Sequence, residues 1–492
     1  MKCGRFSGVA LFGVTVAALV LGAGRTVPRA QGPVTFSEHV APIIFANCTS
    51  CHRPGEAAPF QLVSYRDARP LAKAIAAATA QRVMPPWKAA PGDVEFDNAR
   101  RLTEDQIATI QRWVADGALE GDATRLPALP RFADGWQLGA PDLAVTMSEA
   151  FDVPATGPDV YRSFVVPLNL DHDAWVRAID FRPSARAVVH HSLFFLDSSG
   201  AARERDASDP LPGFSDGMGG ARVLGPGRGN PAGLSGLLGG RGPNDRPDDR
   251  LARAGGGLGG WALGGRALEL PAGLAFFVAK GSDLILSTHF HPSGKAQQEK
   301  STVGLYFASA PPTQAFTNIQ LPPIFGVFEG LDIPAGQERY TIRDSFVIPI
   351  DVRAFSIGAH AHYLGKEMKL TAALPDGSMK TLLWIKDWDF SWQERYRFKD
   401  FVSLPKGTRL DAEISYDNSA ANKRNPSRPP VRVKWGEESA DEMGSIGLQV
   451  VAANPRELPQ LQQAFAEFVR QAAISRPGLR QLLQRRLGRA GV

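Results

Sequence analysis

The sequence predicts a multidomain chain in which a small all-α domain is followed by two all-β sandwich domains and a C-terminal helical tail. Three observations predict it. The 492 residues exceed what one hydrophobic core organises, and at roughly 150 residues per domain they fit about three domains. Apolar periodicity is helical up to about residue 118, then changes to short strand-length runs bounded by Pro, Gly, Asp and Asn. Composition is that of folded domains, with 43% hydrophobic, 21% charged and 9% aromatic residues. Lys and Arg (55) exceed Asp and Glu (50) only slightly, and they form no stripe interleaved with aromatics, which argues against nucleic acid as a partner.

Residues 1–31 read as a secretory signal: Lys2 and Arg5, an apolar run from Val9 to Leu21, then Gly24, Pro28 and Ala30, with cleavage expected near Ala30. The run is shorter than the roughly 20 residues needed to span a bilayer. The expected location is therefore periplasmic or secreted, with membrane association only through an uncleaved N-terminal segment or weakly through the tail.

Residues 32–120 carry Phe36, Val40, Ile43 and Ile44 on one helical face, an Ala-rich stretch from Leu71 to Ala80, and a third helical run from Leu102 to Ala118. Thr103 before Glu104 and Asp105 marks a helix start, and Gly117 a stop. Residues 121–139, with Pro127, Pro130, Gly135 and Gly139, form a linker. The first β-domain spans 140–313, with strands expected at Ser163–Leu168, Ala187–Leu196, Leu284–Phe290 and Val303–Phe307. A glycine-rich run at 209–265 interrupts it and reads as a surface loop. The second β-domain spans 314–451, with strands expected at Tyr340–Ile348 and Val352–Ile357. In the basic tail, 452–492, Leu461, Phe465, Phe468 and Val469 fall at helical spacing and predict a helix packed on the surface.

Three cysteines are too few for a disulfide-stapled exported domain, and only Cys48 and Cys51 lie beyond the signal. With Thr49, Ser50 and His52 they spell CxxCH, in which two thiols bond covalently to haem and the adjacent imidazole ligates its iron. No second CxxC exists to complete a zinc cage. One covalent haem c is expected, with Met84 as the sixth ligand and His39 as the alternative. That ligation leaves no open iron position, so the haem is read as an electron carrier.

Six of nine histidines fall into three pairs: His190 with His191, His289 with His291, and His360 with His362. Residues two apart on a strand share a face, so the second and third pairs can each present two imidazoles to one ion. Adjacent His190 and His191 point to opposite faces of a regular strand and can share a metal only through a bulge or different ring nitrogens. Imidazole suits copper, zinc, iron and nickel alike, and a thioether partner would favour copper.

The run His360-Ala361-His362-Tyr363-Leu364-Gly365-Lys366 resembles the HxHxLGK strand of the copper type II, ascorbate-dependent monooxygenases, which include peptidylglycine alpha-hydroxylating and dopamine beta-monooxygenases. Asp441-Glu442-Met443 resembles that family's EM motif, His190-His191-Ser192-Leu193-Phe194-Phe195 its HH motif, and Thr288-His289-Phe290-His291-Pro292 its VHYH-type strand. The resemblance implies jelly-roll-type sandwiches and two coppers, one for electron transfer on His190, His191 and His289, and one activating oxygen on His360, His362 and Met443. It implies no ligand role for His291. The implied reaction is hydroxylation of a small-molecule or peptide-like organic substrate with O2, the electrons coming here from a periplasmic donor through the cytochrome c-like domain. The implied sandwiches flank a solvent-accessible cleft.

The chain also departs from the family. Peptide-hydroxylating members place an arginine two residues before the HxH, where this chain has Gly358, and an Asn and a Tyr where it has Ser445 and Gly447. Peptide amidation is therefore not expected. The rival reading is a haem and copper electron-transfer protein without oxygenase activity.

Overall fold

The computed structural model describes residues 32–478, apart from 57, 98, 132–134, 216–256, 263–264 and 437–438. The expected signal, most of the glycine-rich run and the end of the tail lie outside the described residues.

The N-terminal segment is helical, with helices Ala41–Asn47, Tyr65–Ala68, Ala72–Ala80 and Glu104–Ala115. Phe36, Val40, Ile43 and Ile44 are all buried there, against Ile110 and Trp113. Thr103 caps the last helix reciprocally: its hydroxyl accepts from the Gln106 amide, and the Gln106 side chain accepts from the Thr103 amide. Gly117 ends it with φ near +93°, a conformation only glycine adopts without strain.

Residues 86–101 leave this helical segment. Ala89 and Phe96 bridge to Ile385 and Phe398, and the Trp87 and Phe96 rings pack 5.0 and 5.3 Å from that of Tyr396. Part of the span 32–120 thus packs on the second β unit, for a physical reason. Pro85, Pro86 and Pro91 prevent a helix here; Ala89 is buried in the neighbouring core instead, and Trp87, Val94 and Phe96 pack against it.

The remainder is β-rich. One antiparallel sheet of the first unit runs Val160–Pro167, Asp283–Phe290, Val189–Asp197, Gly259–Ala262 in spatial order. A second sheet is built on Leu143–Thr146, Thr302–Phe307 and Ala174–Arg182. Phe164, Leu284 and Leu286 from the one and Ile179, Phe181 and Val303 from the other share a single core. Gly259–Ala262 corrects the expected loop at 209–265: the end of that span is a strand paired with Phe194–His191.

The second unit repeats this plan. One sheet runs Phe316–Leu321, Gly444–Ala452, Val352–Ala361, Arg395–Leu404, and the other Tyr340–Val347, Arg409–Tyr416, Gly365–Ala373, Met379–Ile385. Ile319, Ile357 and Leu448 meet Leu370 and Ile414 between them. The tail helix, Leu458–Ser475, inserts Leu458 and Leu461 into the same core. Among the described residues no helix is long and apolar enough to cross a membrane.

Gly365 shows how tightly this unit closes. A Cβ there would lie 2.6 Å from Trp388 Cδ1 and 2.8 Å from the Ala361 Cβ. Gly365→Ala is therefore expected to cost about 1–3 kcal/mol by overpacking. A lower urea midpoint at unchanged slope would register the loss.

Candidate metal centres

His191 and His289 are direct cross-strand partners, and the register slips between Val189 and His191. His190 is the extra residue of that bulge, so the condition under which neighbouring histidines can share an ion is met. The Nδ1 atoms of His190 and His289 each lie 3.4 Å from Nδ1 of His191. That is long for a hydrogen bond. Donors about 2.0 Å from one ion and so separated subtend roughly 115° at it, between tetrahedral and trigonal geometry. Three ligand atoms mutually within 4.8 Å thus form a candidate metal site.

The surroundings prepare these rings as ligands. His289 Nε2–H donates to Asp159 at 2.8 Å, which leaves the lone pair on Nδ1, the atom that faces the cluster. Burial, then the neighbouring imidazoles, lowers the His190 pKa to about 4 and that of His191 well below 6.5. Burial lowers His289 too, against the opposing pull of Asp159. All three are neutral near pH 7, as metal binding requires. His291 lies outside the cluster: its ring is exposed and bonded through Nδ1 to Asp159 at 2.8 Å.

On the second unit, His360 pairs with Ser445 and Ala361 with Gly444, which brings His362 opposite Met443. His360, His362, Met443 and Ser445 consequently share one sheet face, the opposite face being the Ile357 and Leu448 core. The two imidazoles are 5.3 Å apart and perpendicular. Gln393 Oε1 accepts from His360 Nδ1 at 2.6 Å, and the Asp441 carbonyl from His362 Nδ1 at 3.2 Å, so both tautomers carry their lone pair on Nε2. Met443 is buried. The buried Glu442 carboxylate accepts from the backbone amides of His362, Leu364 and Met443 at 2.8–3.0 Å, tying the end of one strand to the start of the other. Burial pushes its pKa up to about 8 against those bonds.

The two histidine sets face each other. The Phe390 ring lies 6.2 and 5.7 Å from those of His191 and His289, and 6.5 and 5.5 Å from those of His360 and His362. Tyr363 O–H, beside His362, donates to Asp159 at 2.8 Å. Burial opposes ionisation of Asp159, but hydrogen bonds from His289, Tyr363 and His291 outweigh it and hold the carboxyl well below the usual range. Phe390, Tyr363 and Asp159 thus lie between the two sets.

In the helical segment, Cys48 and Cys51 are free thiols in one turn, with the His52 amide donating to the Cys48 carbonyl. His52 Nδ1 bonds the Phe60 carbonyl at 3.2 Å, leaving Nε2 as the lone-pair nitrogen, as a haem ligand needs. Met84 sits, partly buried, in the turn after Ala72–Ala80. His39 Nδ1 accepts from the Thr35 amide at 3.2 Å, so its hydrogen is on Nε2 and that nitrogen offers no lone pair. Glu56 of the Cys51–Phe60 loop is ion-paired with Arg186, four residues before His190.

Comparisons with known proteins leave the family open. No family model matches the chain, and no curated protein does. Among solved structures, the VP2 subviral particle of infectious bursal disease virus aligns at 11% identity and a TM-score of 0.17, covering 66% of this chain and 76% of that one. The major capsid protein P2 of bacteriophage PM2 aligns at 9% identity and a TM-score of 0.17, covering 54% of this chain and 100% of that one. Likeness at this level carries no argument.

Sequence reasoning missed Asp159, Phe390 and Gln393, which lie outside every motif. Tyr363 and Glu442 sit inside quoted motifs, and that adjacency was the available signal.

Asp159→Asn is expected to weaken the binding of an added divalent metal ion at the three-histidine set by about tenfold to a hundredfold, because the tautomer of His289 is no longer enforced. Competition with a calibrated chelator measures this. In the metal-free protein, stability should fall as pH drops from about 6.5 towards 4. The unfolded chain protonates its histidines in that window, while His190 and His360, held near 4, do not. Urea midpoints across that range would show the slope.

Proposed function

We propose that this chain is an exported copper-dependent monooxygenase that hydroxylates an organic substrate with O2, its electrons arriving through haem c attached at Cys48 and Cys51. In this reading the helical segment is a cytochrome c-like domain and the two β units are jelly-roll-type sandwiches. One observation carries it: two unlike donor sets, three imidazoles and two imidazoles with a thioether, face each other across one phenylalanine ring.

The donor sets divide the work. Two imidazoles with the soft Met443 sulfur favour the cuprous state, while three imidazoles accommodate both oxidation states. Copper, when bound, would supply one-electron and dioxygen chemistry. The overall reaction takes a substrate C–H bond, O2, two electrons and two protons to a C–OH bond and water. Asp159, Gln393 and the Asp441 carbonyl hold the imidazole tautomers, Glu442 holds Met443 beside His362, and Phe390 stands between the sets. The Glu56–Arg186 ion pair holds the CxxCH loop against the turn leading into His190, which supports electron delivery to the three-histidine set first.

Metal and haem content of protein exported with haem maturation tests the reading. Two coppers and one haem are expected, with one copper lost in His190→Ala, the other in His360→Ala, and covalent haem lost in Cys48→Ser. Met443→Ile should abolish substrate-dependent oxygen uptake and leave the haem spectrum unchanged. Folded, copper-supplied protein without stoichiometric copper would overturn the proposal. Full copper without oxygen uptake on any reduced donor would leave an electron-transfer protein.

A further inference from the structure

The segment that follows Met84 meets the second β unit one residue away from a group that touches His360, and Arg100 makes the contact. A single nitrogen of it, Nη2, donates to the Pro86 carbonyl at 3.4 Å and to Glu394 Oε2 at 2.7 Å. Pro86 lies two residues after Met84, the candidate haem ligand. Glu394 follows Gln393, whose Oε1 accepts from His360 Nδ1 at 2.6 Å. Met84 and His360 are thereby joined through short stretches of backbone and one guanidinium, with no gap wider than 3.4 Å.

The link is held in place and differs from its neighbours. The Arg100 guanidinium carbon lies 5.8 Å over the Trp87 ring, which itself packs on Tyr396, two residues beyond Glu394. The Arg100 and Glu394 side chains are only 23% and 25% exposed. A pair so covered keeps one geometry, and its charge-assisted bonds are stronger than neutral ones. Lys399 and Glu95 also join the two segments, but that pair is largely exposed and no bond leads from it to a histidine. It is a surface contact of small energetic weight. The three-histidine set has a longer connection: Glu56 stands four residues after His52 and Arg186 four before His190. Electrons tunnel more readily along covalent and hydrogen bonds than across space, and a path of fewer links carries them faster.

We propose that Arg100 completes a direct electron path from haem held at Met84 to copper held at His360, His362 and Met443, so that this set is reduced without passing through the three-histidine set. The inference rests on the haem and copper reading above. The path carries one electron, oxidising ferrous haem to ferric and reducing cupric copper to cuprous, with no bond made and no proton moved. With the Glu56–Arg186 pair serving the other set, each set has its own entry, and the two electrons of one turnover arrive by separate routes.

Flash photoreduction of the haem in the full chain, under argon and without substrate, tests this; copper and haem are counted in every sample. The readout is the loss of ferrous haem absorbance in His190→Ala, which keeps only the second copper, loaded as cupric. That loss should be independent of protein concentration and should vanish when His360→Ala is added. Arg100→Leu in the His190→Ala background should slow it several-fold or more, Arg100→Lys should recover part of the rate, and Lys399→Gln should leave it unchanged. Glu394→Ala, which breaks the same link from the other side, takes the place of Arg100→Leu if that variant loses its fold or its metals. Ferrous haem that persists in His190→Ala holding haem and the second copper, a decay that scales with protein concentration, or an equal rate in Arg100→Leu overturns the direct path and leaves the monooxygenase reading standing. Folded, copper-supplied haem protein that takes up no copper overturns both.

Discussion

The carboxylate of Asp159 is the contact on which the arrangement of both histidine sets depends. It takes hydrogen bonds from His289 and His291 of the first β unit and from Tyr363 of the second. One group thereby sets the tautomer of a candidate ligand and joins the two sheets beside their donor atoms. A carboxylate accepting three bonds in a partly buried place is held ionised, and an ionised carboxylate is a strong acceptor for each donor. Without it, His289 could place its hydrogen on either nitrogen, and only one choice turns a lone pair towards His190 and His191.

The two sets reach convergence by different backbone devices. In the second, strand alternation is sufficient: residues two apart on Val352–Ala361 and its extension share a face, and the neighbouring strand brings Met443 to the same rung as His362. In the first, alternation would separate His190 from His191, and the bulge between Val189 and His191 removes the conflict. The sheets carry apolar residues on the inner face of each. Among the departures from that pattern, the bulge at His190, the glycine pair at Gly358 and Gly447, and the buried Glu442 lie close to the histidines in the strand register.

The helical segment is less independent than its periodicity implies. Residues 86–101 cross to the second β unit, where Arg100 pairs with Glu394 and Lys88 with Asp389. Those partners flank Phe390 and Gln393, so the segment that follows Met84 packs directly behind the second histidine set. The Glu56–Arg186 pair anchors the CxxCH loop to the first unit. The segment is therefore held at both sets, which a free linker at 121–139 would not have achieved.

Much of this was legible in the sequence. Strand runs such as Leu284–Phe290 and Val352–Ile357, the Thr103 cap, and the pairing of six histidines follow from local periodicity and spacing, which the chain carries without reference to its fold. Gly259–Ala262 was not legible, because glycines carry no apolar period and the strand exists only through its partner, Val189–Asp197. Asp159, Phe390, Gln393 and Arg100 were equally silent, since each acts on a residue distant in sequence. By itself, then, the sequence determined which side chains could be donors and which faces they would occupy, because alternation is a local property of the backbone. Only the tertiary structure decided that His190 joins His191, that one carboxylate spans both units, and that Arg100 links Pro86 to Glu394, because register, bulges and inter-sheet contacts are set by packing between distant segments.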